Sequence, residues 1–138
     1  MSKIIRFGVS LEESLLEGFD RRIKNKNYSS RSEAIRDMIR EYLMKAEWEL
    51  NSEVAGVISL VYDHHRRELV KKLMDIQHDY GKLIISSQHI HLDHNNCLEI
   101  IAVSGLAREA EKLSDSLKSV KGVKHSAMSM STTGKHID

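Results

Sequence analysis

One segment restricts the possible folds of this chain more than any other: Ser87-Gln88-His89-Ile90-His91-Leu92-Asp93-His94-Asn95-Asn96-Cys97-Leu98-Glu99. Its pattern is an alternating strand, a polar turn and a second strand, which predicts a β-hairpin. Side chains two apart on a strand share a face, so His89 and His91 stand side by side, about 7 Å apart. Residues paired across an antiparallel hairpin also share a face. An odd loop therefore brings Cys97, the single cysteine of the chain, onto the histidine face. A three-residue loop over 94–96 pairs Asp93 with Cys97, and a five-residue loop over 92–96 pairs His91 with Cys97. An even loop sends the thiol to the other side, and both odd lengths are common in hairpins. With an odd loop, Ile90, Leu92, Leu98, Ile100 and Ala102 make the opposite, apolar face, expected to meet the core.

Two imidazoles and a thiolate on one face suit a borderline transition ion such as zinc, copper or nickel, whereas calcium and magnesium want oxygen. Three donors leave a place for water or another histidine. The plain alternative is a solvated sheet face with a buried cysteine.

The remaining composition fits a soluble globular chain. It has 138 residues, 41% hydrophobic and 30% charged, enough for one ordinary domain or two small ones. A single cysteine forms no internal disulfide, which points to a reducing cytoplasm and a thiol available to a metal. No apolar run has the length of a membrane span, and no signal-peptide core opens the sequence. Net charge is +1, unevenly spread: residues 1–45 hold ten Lys/Arg against seven Asp/Glu, and the remainder eleven against thirteen. If either part meets a polyanion, it is the N-terminal one.

Residues 3–11 read as a short strand, with Arg6, Gly8 and Ser10 on one face and Phe7, Val9 and Leu11 on the other. Ser10 with Glu13 predicts a capping box and a helix carrying Leu15, Leu16, Phe19 and Ile23. Ser30 with Glu33 predicts a second, carrying Ala34, Ile35, Met38, Ile39, Tyr42 and Leu43 on one side. One strand and two helices cannot close a core alone, and a single strand has two unpaired edges. Two copies whose strands pair antiparallel solve both problems. Such a ribbon fits the major groove of double-stranded DNA, where Arg6, Gly8 and Ser10 would face the base edges. Backbone N–H groups around 29–31 would meet a phosphate. A dimerisation ribbon with no DNA role is the alternative. The run Asn27-Tyr28-Ser29-Ser30-Arg31-Ser32-Glu33-Ala34-Ile35-Arg36, after a strand and a helix, resembles the ribbon-helix-helix repressors.

From residue 51 the elements read strand 54–62, helix 66–78, strands 83–92 and 97–103, helix 107–120 and strand 123–131, with 45–53 finishing the second helix and forming a linker. The β-α-β-β-α-β order predicts a ferredoxin-like sandwich, so the chain is α+β, with domains 1–50 and 51–138. Both helices would cover one sheet face, leaving His89, His91 and Cys97 on the other. His78 ends the first of these helices. It would then reach the donors only from another subunit.

A ribbon-helix-helix module followed by Gln77-His78, His89-Ile90-His91, and Asp93-His94 through Cys97-Leu98-Glu99 closely resembles the nickel-responsive transcriptional regulators, the NikR family. The resemblance implies an ACT-type regulatory domain and a homotetramer of two DNA-binding dimers. It implies nickel, one ion per subunit, in a planar site of His89, His91 and Cys97 with His78 of a neighbour. It implies repression of nickel-uptake genes, with activation in some members. Relatives similar to this chain often have threonine where Gly8 and Ser10 stand, and Gly8 offers a base no side-chain contact, so the resemblance does not carry over an operator sequence. The family also suggests a weaker cation site at Glu33 and Asp37. His64, His65, His125 and His136 read as surface or structural residues, with His64 and His94 candidates for extra metal. Two other readings compete. A small-ligand sensor of the ACT type would not need the donors, and a zinc enzyme has only Glu99 as a general base on that face.

Overall fold

The computed structural model describes residues 3–138. The elements in chain order are α1 (Glu13–Asn25), α2 (Arg31–Glu49), β1 (Glu53–Asp63), α3 (Arg67–Asp79), β2 (Ile84–His91), β3 (Asn96–Leu106), α4 (Ala107–Lys118) and β4 (His125–Met130). The chain divides into two compact units, Met1–Leu43 and Met44–Ile137, with Asp138 grouped with the first.

In the first unit, residues 3–12 carry no strand hydrogen bonding. A ribbon strand needs a partner strand, and one chain supplies none. Ser10 does not cap α1: Glu12 is the N-cap, without a side-chain bond, and its carbonyl accepts from Leu15 N and Leu16 N. α1 stops where Asn27 takes a positive φ of 62°, which lets Tyr28 N donate back to Ile23 O at 3.1 Å. At α2 the predicted box is half made. Ser30 Oγ accepts from Glu33 N at 3.1 Å, while the Glu33 carboxylate accepts from Ser29 Oγ rather than from the Ser30 backbone. Arg31 grips Asp20 with two parallel hydrogen bonds of 2.9 and 2.8 Å, tying α1 to the start of α2. Ile4, Phe7, Leu16, Phe19, Ile35 and Ile39 line an open apolar groove of about 990 Å³.

The second unit is a four-stranded antiparallel sheet in the order β2-β3-β1-β4, with the expected β-α-β-β-α-β chain path. β1 alternates strictly: Val54, Gly56, Ile58, Leu60 and Tyr62 are buried, and their neighbours less so. β3 follows in register, Tyr62 facing Cys97, Leu60 facing Glu99 and Ile58 facing Ile101. Leu69 and Leu73 of α3 and Ala107, Ala110, Leu113 and Leu117 of α4 close over this face, and together these side chains are the core.

That register corrects the sequence reading of the hairpin. The core side of β3 is Cys97, Glu99, Ile101 and Val103, all buried. Leu98, Ile100 and Ala102 lie on the face without helices, half-buried, and Leu92 is exposed. β3 is apolar on both faces, so alternation alone could not say which face the helices take.

Candidate metal centre

The hairpin loop is the five-residue one. Leu92 N donates to Asn96 O at 2.9 Å, and His91 faces Cys97 across the strands. Asp93 builds the turn: its Oδ1 accepts from Asn95 N at 2.9 Å and Asn96 N at 2.8 Å. The Asn96 side chain, then these backbone donors, hold the Asp93 carboxyl below its usual range. The loop therefore keeps its bonding acceptor at neutral pH. The next pair up the ladder is His89 and Glu99, so His89, His91, Cys97 and Glu99 share one sheet face.

This is the helix-covered face, not the open one expected from the sequence. The physical reason is the column Ile58-Leu60-Tyr62, which is core, with Cys97 and Glu99 beside it in register. α3 stops short of covering β2, and a groove of about 560 Å³ opens between them, lined among others by Tyr62, Gln77, His78, His89 and Glu99. His78, exposed on the last turn of α3, thus stands on the same side of the sheet as His89, not beyond it.

The donors are each engaged within the chain. Cys97 is 1% exposed, beside the Tyr62 hydroxyl. His89 is open to solvent, and its Nε2 lies 3.3 Å from Glu99 Oε1. The exposed His91 ring stacks on His64 with centroids 4.6 Å apart and planes 8° apart. Glu99 is 2% exposed, and a buried carboxylate is costly unless hydrogen-bonded. Tyr62 Oη donates to its Oε1 at 2.7 Å and Gln77 Nε2 to its Oε2 at 3.0 Å. Burial first, then the bond to Glu99, push the Tyr62 hydroxyl far above its ordinary range, so it stays a donor. Glu99 thereby braces His89 and links it to Gln77, the residue before His78.

Tyr62 was legible only as the end of an apolar strand. Its place on the covered face, with a polar tip needing a partner, was the available signal. His64 was read as structural, and it supports His91. Its Nδ1 is buried without a hydrogen-bond partner. Desolvation, then the imidazoles of His65 and His91, hold it below the usual histidine range. His64 also meets His65, and His65 meets His94, as tilted ring pairs with centroids 4.2 and 5.1 Å apart. Among the described residues, no three His, Cys, Asp or Glu side chains of one chain gather into a metal-holding group. His89, His91 and Cys97 share a sheet face without forming one within a single chain, and His64 and His94 are not part of one either.

In the first unit, Arg6, Gly8 and Ser10 are exposed on the segment before α1. The Tyr28 hydroxyl donates to Asp37. Glu33 and Asp37 are thus both hydrogen-bonded to the turn before α2. Among the described residues, no helix is long and apolar enough to cross a membrane.

Residues 55–131 match the family described as NikR C terminal nickel binding domain, and residues 5–46 match the ribbon-helix-helix protein, copG family. Proteins named "Putative nickel-responsive regulator" are similar over almost their whole length. That of Syntrophus aciditrophicus is 57% identical over 98% of this chain and 98% of its own. That of Chlorobaculum tepidum is 58% identical over 96% and 98%. That of the archaeon Thermococcus kodakarensis is 51% identical over 98% and 99%. An uncharacterized protein of Thermotoga maritima, 12% identical, shares the fold over 57% of this chain and 98% of its own, with a TM-score of 0.53. With a ribbon-helix-helix segment before a βαββαβ domain and the family's own C-terminal pattern over more than half its length, this chain belongs to the NikR family of nickel-responsive transcriptional regulators, and not to a family of enzymes.

Proposed function

We propose that the chain is a nickel-dependent regulator, mainly a repressor of nickel-uptake genes, which holds operator DNA when nickel occupies a site shared between subunits. His89, His91 and Cys97 of one subunit would hold the ion together with His78 of a neighbour, one ion per subunit of a cytoplasmic homotetramer. The observation that carries this reading is the hairpin register. It places His91 opposite Cys97, with His89 next on the same face and exposed His78 on the rim of the adjoining groove. The donor set fits: imidazole nitrogens and a soft thiolate suit nickel, and Glu99 supplies the outer carboxylate that fixes a ligating imidazole. Bound nickel would supply a divalent centre that ties donors of two chains together.

The chain's own groups do the rest. Cys97 must give up its proton and the histidines must be neutral, so metal affinity falls in acid. The N-terminal unit forms the DNA-binding dimer. The apolar groove of the first unit accepts a second copy there, and Arg6, Gly8 and Ser10 turn outward to base edges. The C-terminal unit forms the regulatory domain, and four copies of it join two such dimers. By linkage, operator DNA tightens nickel binding by the factor by which nickel tightens operator binding.

Nickel titration followed by absorption, repeated with labelled operator fragments, tests this. A nickel–thiolate band is expected to rise together with DNA affinity. Cys97→Ala is expected to lose both and keep its circular dichroism; a variant that still responds fully would refute the assignment. Zinc and copper run in parallel decide between nickel and the other ions that suit these donors.

A further inference from the structure

The sequence suggests a polar linker over 45–53, about which two domains would swing. Glu47, Trp48 and Asn51 within it are anchored instead. α2 runs from Arg31 to Glu49 without a glycine or proline, and its last residues belong to the second unit. Met44 packs on that unit's core, and Trp48, four residues on, is 4% exposed within it. The Trp48 ring lies over Gly56 of β1, where a Cβ would meet it at 3.3 Å. Its Nε1 donates to Ser131 O at 2.9 Å, just past β4, and Thr132 Oγ1 donates to Glu47 Oε1 at 2.7 Å.

The turn after the helix is fixed as well. Asn51 takes a positive φ of 55°, and Ser52 N donates back to Glu47 O at 2.9 Å. This is the helix-ending turn in which a left-handed residue lets the chain satisfy orphan carbonyls. Asn51 and Ser52 then cap a different helix: Asn51 Oδ1 accepts from Arg108 N at 2.9 Å and Ser52 O from Ala107 N at 3.0 Å, the first two residues of α4. Three elements therefore meet at one point: the end of α2, the start of α4 and the end of β4.

We propose that this junction is a clamp that makes α2 from Met44 onward a mechanical part of the metal-binding domain. The clamp, not a slack linker, then carries the regulatory change into α2. The second statement rests on the nickel-dependent reading above; the first does not.

Two experiments on the full-length chain separate them. Trp48 is the only tryptophan, so its fluorescence reports the clamp directly. Without metal or DNA, its emission is expected to be that of a buried indole and resistant to acrylamide. It is expected to stay so when nickel and operator are added, and the amides of 50–52, Ala107 and Arg108 to exchange as slowly as those of the sheet. Solvent-like emission in any of these states, or exchange as fast as at the chain ends, overturns the clamp. For the coupling, Trp48→Ala and Asn51→Gly are compared with wild type. Glycine keeps the positive φ but removes the acceptor for Arg108, so it tests the junction even if the alanine variant does not fold. Nickel affinity is expected to change less than twofold, while the nickel-induced gain in operator affinity falls at least tenfold. A full gain in Asn51→Gly overturns the coupling. Absence of any gain in wild type overturns the functional reading and the coupling with it, and leaves the clamp to the fluorescence result.

Discussion

Glu99 is the least expected residue of the sheet face that carries His89, His91 and Cys97. It is a carboxylate at the centre of a hydrophobic face, held by Tyr62 and Gln77 and facing His89. Its cost in desolvation is offset only if each acceptor site stays filled. Glu99→Gln puts an amide where Gln77 already donates an amide, so one N–H loses its acceptor and the brace on His89 slackens. Nickel affinity should fall about 10- to 100-fold, the usual cost of losing an outer-shell partner, as read by absorption titration. Unchanged affinity would show that Glu99 serves packing alone. Its position was legible in the sequence, because it lies two residues after Cys97 on a strand. Its partners were not, because Tyr62 and Gln77 come from elements whose approach depends on how α3 crosses the sheet.

In the second unit, helices and strands were legible nearly to their ends and the assignment of faces was not, while the strand read over 3–11 carries no strand hydrogen bonding in the single chain. α4 shows why the first succeeded: Ala110, Leu113 and Leu117 recur at helical spacing and are fully buried. β3 shows why the second failed. Ile100 and Ile101 are equally apolar neighbours on opposite faces, and only pairing with β1 reveals that Ile101 is core. Ile101→Ala should therefore cost about 2–5 kcal/mol in chemical denaturation. Ile100→Ala should cost distinctly less at concentrations where the chain is dissociated. Equal costs there would contradict the register. In the first unit, Asp20 and Arg31 join α1 to α2 through an exposed pair. The hydrogen bond from Arg31 holds the Asp20 carboxyl below its ordinary value of 3.8. A lowered folded-state pKa contributes stability above the unfolded value and loses it as pH falls through the folded one. The melting-temperature advantage of wild type over Asp20→Asn should thus persist at neutral pH, begin to shrink below about pH 4 and vanish once the pH has fallen through the lower folded-state value. An advantage that survived further acidification would show that the pair is not its source.

For the molecule as a whole, what a single chain leaves unfinished is as informative as what it buries. The strand-forming segment 3–11 finds no partner, and Ile4, Phe7 and Val9 stay exposed. The sheet face without helices presents Val57, Leu98, Ile100 and Ala102, half-buried or exposed. Contiguous apolar surface of this kind marks association in soluble proteins, which the sequence suggested for the N-terminal strand and helices alone, too short a stretch to close a core. If the sheet face joins copies and the fourth nickel ligand comes from one of them, assembly and metal affinity must fail together. Ile100→Lys places a charge on that face and touches neither the core side of β3 nor any proposed ligand. Its circular dichroism should match wild type, while light scattering should show an assembly smaller than that of wild type. Nickel affinity should drop by at least tenfold in the same sample and recover as protein concentration drives the copies back together. A smaller assembly that held nickel as tightly as wild type would mean that one chain completes the site, and His78 would then have to serve its own hairpin.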